Sequence, residues 1–191
     1  LMYKDCFRVY VVDGIDMKLK YMCENNPQIQ YTYVPEKILD YISEIKASLE
    51  IRYNNLINGI GARLEDEPVI LLINRSQDAL KCISESKEIM PVYREIIGKY
   101  KNLRIAIIHS DIPNLPTAFN APEPLKLLKE SKKYLYFDDI AAFKLAEVNP
   151  TLIRDMKKPI QLGDAYLIKD GGVLKVKTPI YQDNGFQESL S

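Results

Sequence analysis

Phe7 to Val12 reads FRVYVV, β-branched and aromatic, and it stops at Asp13-Gly14, so the run predicts a buried strand closed by a turn. Ile29 to Val34 is a second short extended segment, and the Pro35 that follows suits the first turn of a helix. From Glu36 to Asn58 the apolar residues Ile38, Leu39, Ile42, Ile45, Leu49, Tyr53 and Leu56 recur at three- and four-residue steps. That spacing predicts a long helix with one core-facing stripe, ending near Asn58-Gly59. Pro68 leads into VILLI, Val69 to Ile73, apolar on both faces as a covered parallel strand is. Asn74-Arg75-Ser76-Gln77 breaks that run. Helical pattern over Gln77 to Ser84 and Met90 to Tyr100 then precedes a strand at Leu103 to Ile108.

A loop with Pro113 and Pro116 leads to a helix near Pro122 to Lys132, a strand Tyr134 to Phe137, and two short helical segments, Ile140 to Val148 and Thr151 to Met156. A hairpin closes the pattern, Ala165 to Lys169 and Val173 to Lys177 around Asp170-Gly171-Gly172. Strands alternating with amphipathic helices predict an α/β fold, a mostly parallel sheet with helices on both faces, finished by a C-terminal antiparallel hairpin. Ligands of such sheets sit at the carboxyl ends of the strands. Asp13, Asn74, Arg75, His109, Ser110 and Asp138 are therefore the candidate site residues.

Composition narrows the function classes. The chain has 191 residues, which fits one globular domain over 1–191. Its 26 basic residues balance 26 acidic ones, so no global field draws in nucleic acid or an anionic membrane. The 13 tyrosines are scattered with no basic run between them, so a single-strand stacking platform is not expected and nucleic acid is not an expected partner. Cys6, Cys23 and Cys82 are odd in number and widely spaced, which fits a reducing compartment rather than a disulfide framework. The longest apolar run, Val69 to Ile73, is far short of the roughly 20 residues of a membrane span.

Catalytic motifs are mostly missing. Neither GxxxxGK[ST] nor GxGxxG occurs, and Gly59-Ile60-Gly61-Ala62 follows a helix instead of a strand, so it lacks the context of a phosphate loop. His109 is the single histidine, which excludes multi-histidine metal sites and reads as a structural residue at a strand end. Asp138-Asp139 and Glu65-Asp66-Glu67 read as solvated acidic clusters.

Five stretches, in order, resemble an ATPase module of the FtsK/SpoIIIE type, and within that group the C-terminal modules of the EssC/EccC membrane ATPases of type VII secretion. VYVVDG (Val9 to Gly14) is similar to the family's second core strand, and SLEIRYNNL (Ser48 to Leu56) to a helix with an arginine a turn before its end, here Arg52. PVILLINRSQDAL (Pro68 to Leu80) falls at the Walker B strand, RIAIIHS (Arg104 to Ser110) at the sensor strand, and LGDAYLIKDGGVLKVKTP (Leu162 to Pro179) at the terminal hairpin. The resemblance implies a RecA-like P-loop NTPase fold. It also implies that the family's first strand and Walker A loop lie upstream of Leu1, leaving a gap in the sheet for an upstream segment, another chain or a rearranged sheet order to fill.

The departures from the family decide the expected mechanism. Active members end Walker B in an aspartate that holds Mg²⁺ through water and a glutamate that polarises the attacking water. Here those positions hold Asn74 and Arg75, with Ser110 or His109 at the sensor position. An amide lacks the negative charge that favours a divalent cation, and a guanidinium stays protonated and cannot act as a base. Asn74, Arg75 and Ser110 thus form the expected vestigial nucleotide site, with no catalytic or metal-binding residue, and with ATP and Mg²⁺ as cofactors only if that site is still competent. Asn74→Asp with Arg75→Glu is expected to improve binding of Mg-nucleotide where the upstream P-loop region is present and otherwise competent. By resemblance the partners are secreted type VII substrates and neighbouring ATPase modules in a hexamer, at the cytoplasmic face of the bacterial membrane. An active translocase module with its P-loop upstream, and an unrelated α/β ligand-binding or scaffold domain, are the alternatives.

Overall fold

The computed structural model describes residues 7–60, 67–110, 122–129, 133–136, 151, 161, 163–170 and 172–177. They fall into two compact units, 1–128 and 129–191. In the first, β1 (Arg8–Val12), α1 (Lys20–Glu24), β2 (Ile29–Thr32), α2 (Lys37–Ile57), β3 (Val69–Asn74), α3 (Gln77–Glu85), α4 (Ile89–Gly98), β4 (Ile105–Ser110) and α5 (Glu123–Lys129) follow one another. The four strands pair in parallel in the order β2-β1-β3-β4.

The register sorts the strand residues onto two faces. Tyr10 and Val12 of β1 and Val69, Leu71 and Ile73 of β3 join Ile38, Ile42, Ile45 and Leu49 of α2, Leu80 and Ile83 of α3, and Tyr93 and Ile96 of α4 in one core. Val9, Val11, Ile70 and Leu72 alternate onto the opposite face. The chain steps from β1 outward to β2 and then back past β1 to β3 and β4. Right-handed crossovers therefore place α1 on the face opposite α2, α3 and α4, and the sheet reverses direction between β1 and β3. The helices on both faces match the sequence pattern. The expected gap is absent from the described sheet, whose four strands are consecutive neighbours.

Local details differ where propensity is a weak guide. The short helix α1, in the polar stretch before Pro27, has no apolar periodicity beyond its buried Cys23. On α2 the buried stripe includes Tyr41 and Arg52, while Leu56 is exposed, because the last turns of the helix run past the core. Ser76 starts α3 by accepting the Ala79 backbone N–H at 3.3 Å, a side-chain cap. Gly59, at φ 74, terminates α2, and that helix ending is the role of the first glycine in the Gly59-Ile60-Gly61 stretch.

The second unit holds an antiparallel sheet of its own, β5 (Lys133–Tyr136), β6 (Asp164–Lys169) and β7 (Gly172–Lys177), in that order. The closing hairpin is as the sequence predicts, with Asp170 at φ 51 in its turn, but it pairs with β5 and not with the parallel strands. Asp164 lies buried at the start of β6. Its carboxylate faces Lys175 Nζ at 2.7 Å and Lys177 Nζ at 2.5 Å and accepts the Gln161 backbone N–H at 3.1 Å. The Lys175 ammonium, then that of Lys177, then the Gln161 amide hold this carboxyl well below the usual carboxylate range. Its folded pKa is below its unfolded one, so its contribution is complete above about pH 4 and is lost as the pH falls further. Acid titration followed by circular dichroism is expected to show a loss of stability in that range, smaller in Asp164→Asn. The predicted helix at Ile140 to Val148 and most of that at Thr151 to Met156 lie outside the described residues, within which no helix is long and apolar enough to cross a membrane.

Candidate functional site

The reversal of the sheet between β1 and β3 is where a doubly wound fold opens a crevice at its strand ends. Here a hydrogen-bonded chain of side chains links the strand ends. Asp13, one residue beyond β1, is buried and accepts four hydrogen bonds. Oδ1 takes the Gly14 backbone N–H at 2.9 Å and Asn74 Nδ2 at 2.7 Å, and Oδ2 takes the Leu19 backbone N–H at 2.7 Å and the Tyr31 hydroxyl at 3.2 Å. The other end of the Asn74 amide, Oδ1, accepts the Ser110 hydroxyl at 2.6 Å. One network thus joins the ends of all four parallel strands, in the spatial order Tyr31, Asp13, Asn74, Ser110. Burial, and then the neighbouring Asp13 charge, push the Tyr31 hydroxyl pKa up, which keeps it a donor to that carboxylate.

Asn74 ends β3, and Arg75 turns out of it in the left-handed region at φ 51. The Arg75 backbone N–H donates to the Ser110 carbonyl at 3.1 Å, and its Nε pairs with Asp16 Oδ2 at 3.2 Å. Gly14 fits against this turn. A Cβ on Gly14 would meet Asp16 Oδ1 at 3.0 Å and the Arg75 carbonyl and Cβ at 3.1 Å. Gly14→Ala is therefore expected to cost about 1–3 kcal/mol in chemical denaturation, since the backbone of Arg75 cannot move without disturbing β3 and β4.

β4 extends through Ser110, so Ser110 and His109 are strand residues on opposite faces. Ser110 is registered with Asn74 and His109 with Ile73. His109 turns toward the helices, where Nε2 lies 3.2 Å from the Tyr93 hydroxyl, and burial pushes the ring's pKa down to about 3. A small pocket lined by Ile73, Arg75, Ser76, Gln77, Leu80 and His109 lies at the start of α3. Asn74, Arg75 and Ser110 are thus brought together as expected, and His109 is directed away from the network. Asp138 and Asp139 lie outside the described residues, as do Glu65 and Asp66, while Glu67 pairs with Arg8 at 3.6 Å.

Sequence reasoning missed Tyr31 and Asp16. Asp16 carried a signal, a second acid three residues after Asp13 in a glycine turn. Tyr31 carried none, because its reach to Asp13 depends on the parallel register of β1 with β2. Arg52 also has a different place from that of a site residue. It is buried on the core side of α2 and donates to the Leu103 carbonyl at 3.2 Å and the Glu67 carbonyl at 2.7 Å, at the opposite end of the sheet. Among the described residues no group of three or more histidine, cysteine or acidic side chains is placed to hold a metal ion.

No family model and no curated protein matches this chain. Solved structures do. The cytoplasmic domain of EssC aligns at 20% identity with a TM-score of 0.65, over 90% of this chain and 33% of its own. ATPases 2 and 3 of EssC from Geobacillus thermodenitrificans align at 20% identity and a TM-score of 0.69, over 94% of this chain and 32% of theirs. This chain has the fold of the EssC ATPase domains. The conjugation coupling protein TcpA of pCW3, in its monomer form with ATPγS, shares that fold at 12% identity and a TM-score of 0.61, over 95% of this chain and 55% of TcpA. The chain thus spans about a third of the length of each EssC structure, so it corresponds in extent to one portion of a multi-ATPase EssC chain.

Proposed function

We propose that this chain is a degenerate ATPase module of a type VII secretion motor, acting in substrate recruitment or regulation of neighbouring ATPase modules and not by hydrolysis. The EssC-type fold supports the motor assignment. The state of Asn74 supports the loss of hydrolysis. At the Walker B position an uncharged amide has its oxygen engaged by Ser110 and its nitrogen by Asp13, so it offers no charged oxygen for a hydrated Mg²⁺. Asp13, the one carboxylate in the network, already accepts four hydrogen bonds. The next position holds the Arg75 cation, paired with Asp16, where catalysis would need a base. These residues do not fit a Mg-nucleotide. The partners in this reading are secreted type VII substrates and adjacent ATPase modules in a homo-oligomer at the cytoplasmic face of the membrane.

The deciding experiment is a calorimetric Mg-ATP titration with a parallel phosphate-release assay on the full-length protein that carries this module. Variants of this module's Asn74 and Arg75 serve as controls. The expected result is that Asn74→Ala and Arg75→Ala leave the number of Mg-ATP sites in the calorimetric titration unchanged, whatever they do to phosphate release by neighbouring modules. Loss of one Mg-ATP site together with a drop in phosphate release in either variant, with the fold retained by circular dichroism, would make this a working motor module.

A further inference from the structure

We draw no further inference here: the strongest candidate, the outer edge of β4 with its apolar run Ile105 to Ile108 and no strand paired to it among the described residues, carries nothing because nothing in the structure shows what covers it.

Discussion

Asn74→Asp is expected to destabilise the folded chain by about 3 kcal/mol near pH 7, and the loss is expected to shrink on acidification. The substitution changes one atom type, yet it turns the 2.7 Å donor contact from Asn74 to Asp13 into two facing carboxylates in a buried network. The carbonyl oxygen that accepts from Ser110 survives, so the effect isolates the Asp13 contact. The charge of Asp13 at that separation favours the protonated form of the introduced carboxyl, so the folded variant retains a proton that the unfolded chain releases above about pH 4. Stability of the variant relative to the parent is therefore poorest at neutral pH and recovers as the pH falls. Urea denaturation at pH 7 and pH 5 checks this, with Asn74→Ala as the comparison that removes the amide without adding charge. Equal midpoints for parent and Asn74→Asp at pH 7 would show that the network tolerates the second charge. Repeating the pH 7 measurement with Mg²⁺ tests the proposed loss of metal binding, since a cation that restores the variant would show that the strand ends can still form an oxygen cage once charged.

Arg52→Ala is expected to cost a similar amount, about 3 kcal/mol, with no change in the network at the strand ends. The guanidinium is buried and bridges the Leu103 carbonyl before β4 and the Glu67 carbonyl before β3. Removing it strips charge-assisted donors from two loop carbonyls at once and leaves a cavity beside α2. Arg52→Lys should recover less than half of the loss, because one ammonium on a flexible stem cannot reproduce a planar fork spanning both carbonyls. Thermal and urea unfolding of the two variants measure the difference. A fully stable lysine variant would reduce the role of Arg52 to charge alone. The arginine that the family resemblance singled out is thus a staple for the loops entering the sheet, some way from the strand ends where nucleotide chemistry would occur.

Elements whose pattern is local were legible. The runs FRVYVV and VILLI predicted β1 and β3, the three-and-four spacing predicted α2 to within a residue at each end, and Asp170-Gly171-Gly172 marked its hairpin. The rule that ligands gather at strand ends selected Asp13, Asn74, Arg75 and Ser110, and the structure puts the first, second and fourth into one hydrogen-bonded chain and the third against Asp16. His109, read in the sequence as a structural residue at a strand end, faces the other side of the sheet and meets the Tyr93 hydroxyl, because alternate residues of a strand face opposite sides. The extension of β4 by two residues is enough to turn a residue expected in a loop into a strand residue that faces the helices.

The order of apolar and polar residues by itself determined the class of fold and, to within a residue, the ends of β1 and β3, because periodicity is a property of neighbours along the chain. Strand order, register and the hydrogen-bonded chain at the strand ends were decided only in three dimensions. Asp13 and Asn74 are 61 residues apart, and their contact exists because β1 and β3 pair in one register out of many. A shift of that register by one residue would turn Asn74 to the other face of the sheet, away from Asp13 and Ser110. The same amide that reads in sequence as a lost metal ligand is, in the folded chain, the link that ties four strand ends together.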